Sequence, residues 1–154
     1  MKLAVGSDER THVTDAVVAE LPKRGHTIEL FGPLRDEKML WPQVALQVAE
    51  RVVRGEADEG ILFCWTGAGV SIAANKVPGI RAALCHDAET AKGARLWNRA
   101  NVLCLSLRAT SEAIAREISD AWFATLLGTD AVDVECVQQV VEIENKYAGK
   151  QVNS

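Results

Sequence analysis

The chain has 154 residues and a mass of 16.7 kDa, with 48% hydrophobic and 25% charged residues, a formal net charge of −4 and a pI near 5.4. That length and balance suit one globular domain with a true core, and they exclude a disordered chain and the basic footprint of a nucleic-acid binder. No apolar run approaches the roughly 20 residues of a membrane span, and Met1-Lys2-Leu3 opens straight into patterned sequence, so a cytoplasmic protein is expected.

Along the chain, short apolar runs alternate with longer amphipathic ones. Leu3–Gly6 reads as a first strand, followed by a helical stripe of Val13, Val17, Val18 and Leu21. Thr27–Phe31 is the second strand. The polar stretch from Phe31 to Lys38 reads as a loop ahead of a helix near Pro42, whose stripe is Val44, Ala45, Val48, Ala49, Val52 and Val53. Gly60–Phe63, Ile80–Cys85 and Val102–Ser106 complete the strands, with a helix starting near Val70 and another carrying Ile114, Ile118, Ala121 and Trp122. A last helix, about 131–148, carries Val134, Val137, Val140, Val141 and Tyr147, and the end from Gly149 to Ser154 reads as frayed. Near-continuous apolar strands separated by helices predict an α/β, Rossmann-like three-layer α/β/α domain over residues 1–154, with a five-stranded parallel sheet. Ligands of such sheets bind beyond the carboxyl ends of the strands. That rule points to Gly6–Glu9, Cys64–Gly69 and Cys85–Asp87.

The most informative segment is Cys64-Trp-Thr-Gly-Ala-Gly-Val-Ser-Ile-Ala-Ala-Asn-Lys76. A strand ends, two glycines allow a tight turn, and a helix begins. Backbone N–H groups at such a start stabilise an anion, either a phosphate or an oxygen that becomes negative during a reaction. Cys64 is therefore either a base or nucleophile, or a small buried hydrophobe beside an ordinary turn. Gly-x-Gly alone does not decide, but it is neither a dinucleotide nor a Walker fingerprint, which argues against a nucleotide-binding module. Asp8 either accepts hydrogen bonds from sugar hydroxyls or caps a helix beginning near Thr11 or Val13. His86-Asp87 reads as a plain loop pair, and Asn98 and Asn101 read as parts of a turn before the last strand. His12, His26 and His86 lack the spacing of a zinc motif, so no metal is expected. The four cysteines, Cys64, Cys85, Cys104 and Cys136, form no CxxC pair and read as free thiols.

Taken together, the segments resemble the ribose-5-phosphate isomerase B / galactose-6-phosphate isomerase family over about residues 1–125. The resemblance rests on Val5-Gly-Ser-Asp8, Gly55-Glu-Ala-Asp58-x-Gly60, Cys64-x-Thr-Gly-x-Gly69, the run from Ser71 to Ala83, and Asn98-x-x-Asn101-Val. It implies metal-independent, cofactor-free aldose–ketose isomerisation of a sugar or sugar phosphate through a cis-enediolate. By resemblance, Cys64 takes the place of the catalytic thiol and Thr66 that of its hydroxyl partner. Gly67 and Gly69 belong to the loop that faces the sugar oxygen, Asp8 and Asn98 contact the substrate, and Arg108 contacts phosphate. The family works as a homodimer or a dimer of dimers with sites at the interface, so the C-terminal helix is expected to pack on a partner subunit, with Asn98 and Arg108 serving the neighbouring site.

This chain also departs from the pattern of that family. Glu9 and Trp97 each stand where histidines are usual, and Gly128–Cys136 contains no Arg or Lys where phosphate-clamping arginines are expected. A carboxylate beside a phosphate costs about 1 kcal/mol or more at short range even with solvent screening. Trp65 replaces a glycine and Trp41 a tyrosine. Their faces can cover the C–H faces of a sugar, as can that of Trp97, or they can fill a subunit interface. The expectation is an isomerase that keeps the proton-transfer half of the site and alters the phosphate or ring-opening end. The alternative is a catalytically weak sugar-binding or partner subunit of the same fold.

Overall fold

Alternate residues of the strands feed two separate cores, one on each face of the sheet. In the computed structural model, which describes residues 1–149, the strands are β1 (Lys2–Ser7), β2 (Thr27–Phe31), β3 (Glu59–Cys64), β4 (Ala82–Leu84) and β5 (Val102–Ser106). All pairs are parallel and the order is β2-β1-β3-β5-β4. Leu3, Val5, Ile61, Phe63, Leu103 and Leu105 point to one face. There they meet α1 (His12–Glu20), α4 (Ala88–Leu96) and α5 (Glu112–Ala124). Ala4, Leu62, Cys64, Val102 and Cys104 point to the other face and meet α2 (Trp41–Val53) and α3 (Ala68–Ala74). This is the expected three-layer α/β/α arrangement.

Small residues set how closely α2 approaches. A Cβ on Gly6 would stand 2.5 Å from Val44 Cγ1 and 2.9 Å from Val48 Cγ2, so only glycine admits the helix at this depth. Val44 and Val48 are fully buried in consequence, each contributing about 1.5–3 kcal/mol of apolar burial.

Several local expectations are corrected. Asp8 does not cap α1; Thr11 does, accepting from the Thr14 amide while the Thr14 hydroxyl accepts from the Thr11 amide. The loop before α2 contains a single 3₁₀ turn, Gly32–Arg35. β4 is shorter than Ile80–Cys85 because Ile80 closes a turn onto the Val77 carbonyl and the Arg81 amide is taken by Asn101 Oδ1 at 2.8 Å. His86-Asp87 is not merely a loop pair. Asp87 accepts from the Thr90 amide at 2.6 Å and caps α4, a helix whose buried face is the small set Ala91, Gly93 and Ala94.

The last helix, α6 (Ala131–Tyr147), forms where expected and has no buried residue. Val140, Ile143 and Tyr147 border an open groove of about 540 Å³ beside the β4 edge. The expected frayed end beyond Gly149 lies outside the described residues.

Candidate active site

In this sheet the chain leaves β1 towards β2 on one side, while β3, β5 and β4 build outward on the other. The reversal lies between the carboxyl ends of β1 and β3, the place where open α/β sheets form their ligand crevice. Ser7 stands opposite Phe63, so Asp8 is level with Cys64 on the neighbouring strand, about 5 Å away in the pairing direction. Cys64 is only 5% exposed and lies at the top of the α2/α3-side core.

Three contacts fix the backbone around this cysteine. The Leu107 amide donates to the Cys64 carbonyl at 3.0 Å, the Gly67 amide donates to the same oxygen at 3.2 Å, and the Arg108 amide donates to the Trp65 carbonyl at 3.0 Å. Ser106 Oγ adds a bond to that Trp65 carbonyl at 3.0 Å. The turn after β5 is thereby tied to the Cys64 loop, and Arg108 is carried to its rim as an exposed side chain.

Gly67 adopts the left-handed region at φ 75°, and α3 begins without a side-chain cap. A Cβ at Gly67 would meet Leu84 Cδ1 and come within 3.1 Å of the Leu105 carbonyl oxygen, so the turn has no room for one. The amides at the start of an uncapped helix have no intrahelical acceptor. Thr66 Oγ1 accepts weakly from Ala68 at 3.4 Å. The Trp41 ring closes over this loop from α2, where a Cβ on Gly69 would lie 3.2 Å from Cε3. Nothing in the local sequence couples Trp41 to Gly69; α2 packing against α3 brings them together.

Charge on this edge is mostly acidic or already paired. Burial raises the Asp8 carboxyl above the usual carboxylate range, its own backbone amide opposes the shift, and Glu9 adds to it. Asp8 Oδ1 is buried with no hydrogen-bond partner among the described residues. Ser7 Oγ donates to the Glu9 carbonyl at 2.5 Å and leaves the Glu9 side chain exposed. Arg10 is held by Asp15 at 2.8 Å and by Asp36 at 3.9 Å.

Asp8, Glu9, Trp41, Cys64, Trp65, Thr66, Gly67, Gly69 and Arg108 thus share one edge. Trp97 and Asn98 do not. They follow α4 and precede β5, which puts them at the amino end of the parallel sheet, roughly 16 Å of strand from the Cys64 edge. Trp97 is exposed there, covering Gly93, and Asn98 borders the groove beside β4. Asn101, read as a turn residue, is a brace: its Oδ1 accepts from Arg81 and its Nδ2 donates to the Gly79 carbonyl at 2.9 Å. All four cysteines are free. No helix among the described residues is long and apolar enough to cross a membrane.

The profile of the family described as Ribose/Galactose Isomerase matches residues 3–140. Ribose-5-phosphate isomerase B of Escherichia coli is 41% identical over 122 residues, 79% of this chain and 82% of that protein. The galactose-6-phosphate isomerase subunit LacB of Clostridium acetobutylicum is 33% identical over 147 residues, 94% of this chain and 85% of that protein. Among solved structures, ribose-5-phosphate isomerase B of Clostridium thermocellum superposes with a TM-score of 0.90 at 40% identity, covering 96% of this chain and 100% of that one.

Proposed function

The chain belongs to the ribose/galactose isomerase family, and from that premise we propose that it is an aldose–ketose isomerase with Cys64 as its base. The observation that carries the reading is the convergence of Cys64, the unpartnered Asp8 oxygen and the Gly67–Gly69 turn that opens α3 at the reversal of strand order. In this reading an open-chain aldose lies with its carbonyl oxygen towards the loop amides and its second carbon against Cys64 Sγ. The thiolate removes the proton from that carbon as the carbonyl oxygen becomes negative, and the amides hold the resulting cis-enediolate. The proton on the second oxygen moves to the first oxygen, and the thiol returns its proton to the first carbon to give the ketose. Thr66 supports the reacting end, Asp8 accepts from a substrate hydroxyl, and the faces of Trp41 and Trp65 cover the sugar. The scheme uses protein groups alone.

The site is completed by a second copy of the chain. The exposed apolar stripe of α6 and the exposed Trp97 and Asn98 support a dimer in which Trp97 and Asn98 of the partner subunit face the Cys64 edge. Free thiols suit a reducing cytoplasm. Glu9, Trp97 and the lack of a basic residue in Gly128–Cys136 point to an altered far end of the substrate: unphosphorylated, differently phosphorylated or acyclic. The same three features favour a second reading, a catalytically weak sugar-binding or partner subunit, which predicts binding without turnover.

Steady-state kinetics of Cys64→Ala test the assignment. Removing the base is expected to cost on the order of 10²–10⁴-fold in kcat while the fold survives. Retained turnover would remove Cys64 as the base.

A further inference from the structure

At the amino end of the sheet, a charged side chain is buried where the fold alone does not call for one. Glu59 opens β3 and is 6% exposed. Its Oε2 accepts from Trp122 Nε1 at 2.6 Å, and its Oε1 meets Arg95 Nη2 at 2.5 Å. The Arg95 guanidinium lies 5.0 Å from the Trp122 ring centre, and its Nη1 donates to the Ala100 carbonyl at 2.5 Å. A hydrophobic set of similar volume would stabilise such a position about as well or better. The pair therefore invites an explanation beyond stability.

That explanation lies in what Arg95 holds. α4 ends in a turn in which Arg99 adopts φ 49°, a conformation that costs a non-glycine residue roughly 1–2 kcal/mol. The turn closes with the Ala100 amide on the Ala94 carbonyl at 2.9 Å. Three successive carbonyls are then tied from three directions: Arg99 by Arg81 Nε at 3.0 Å, Ala100 by Arg95, and Asn101 by the Gly60 amide at 3.0 Å. Asn98 sits at the exposed crest of this over-determined turn. We propose that Glu59 and Arg95 are positioning residues for the isomerase reaction: the buried pair locks the 97–101 turn so that Asn98 is presented to the active site of the partner subunit. This rests on the preceding reading, in which Asn98 acts across the interface.

Two variants separate positioning from stability. Arg95→Lys keeps a charge for Glu59 but cannot reach Glu59 and the Ala100 carbonyl with one planar group. The triple variant Glu59→Leu, Arg95→Met and Trp122→Phe replaces the ion pair together with its buried indole donor by apolar groups and is expected to melt near the wild-type temperature. Both are expected to lose on the order of 10–100-fold in kcat/KM through misplacement of Asn98, with faster amide hydrogen exchange at Ala100 and Asn101. Mixing either variant with Cys64→Ala is then expected to restore about one quarter of wild-type turnover, because half the dimers are mixed and each holds one intact site. Wild-type kcat/KM, unchanged exchange in the turn, or lost turnover that mixing does not restore would overturn the proposal. Lack of Cys64-dependent turnover in the wild-type chain would sink the isomerase reading itself, and the proposal with it.

Discussion

Replacing Gly67 by alanine tests whether the loop beside Cys64 is as constrained as its geometry implies. Two costs combine. The residue sits at φ 75° and ψ −20°, and holding an L side chain there costs roughly 1–2 kcal/mol. The new methyl would also lie 3.0 Å from the Leu105 carbonyl carbon and 3.1 Å from its oxygen, backbone atoms of a central strand that cannot swing aside. Overpacking of this kind costs typically 1–3 kcal/mol, so urea denaturation should show a total loss of about 2–5 kcal/mol. The loop relieves the clash by moving, which takes its amides away from the developing oxyanion, and a misplaced donor costs on the order of 10²–10³-fold in kcat. Gly69→Ala is the matched control. The three atoms nearest its methyl would all belong to the Trp41 ring, the first 3.2 Å away, and that side chain can yield. A Gly67→Ala variant within about 0.5 kcal/mol of wild type and with full turnover would refute the argument, since such small effects mark positions without special constraint.

Three further outcomes are expected. The folded chain holds the Asp8 proton more tightly than the unfolded chain, so its contribution to stability is full below the usual carboxylate range and is lost as pH rises through the raised value. Glu9→Gln removes one cause of the elevation, and carbon-13 titration of Asp8 should move to lower pH; an unmoved titration would show that the two carboxylates do not interact. Trp122→Phe strips the buried Glu59 oxygen of its donor and should cost about 1–3 kcal/mol in urea denaturation. Burial pushes the Cys85 thiol up to about 12 and Cys104 further still, so alkylation at neutral pH, read by mass spectrometry, should reach both only on unfolding.

The central strands were legible because β1, β3 and β5 are apolar runs buried on both faces, and the bounds expected for Thr27–Phe31 and Val102–Ser106 match those observed. α4 was not, because its buried face is alanine and glycine, residues that carry little hydrophobic contrast. Of the two roles open to Asp8, the cap of α1 belongs instead to Thr11, which was not legible because the reciprocal Thr11–Thr14 pair lacks the acidic or amide residue that usually marks such a start. At the site, the edge shared by Asp8 and Cys64 followed from topology alone. The contact of Trp41 with Gly69 and the Glu59–Arg95–Trp122 cluster join residues from separate elements, and no local pattern encodes them. The separation of Asn98 from Cys64, by contrast, was legible: in a parallel sheet a residue that precedes one strand and a residue that closes another lie at opposite ends.

The most direct test of the central claim is proton NMR in deuterium oxide on a panel of aldoses and ketoses, phosphorylated and unphosphorylated, with Cys64→Ala as control. Isomerisation through Cys64 predicts interconversion of an aldose–ketose pair, with deuterium appearing on the carbon next to the carbonyl in the wild-type chain and not in the variant. Folded wild-type protein that leaves every sugar unexchanged, or a variant that exchanges as fast as wild type, would contradict it.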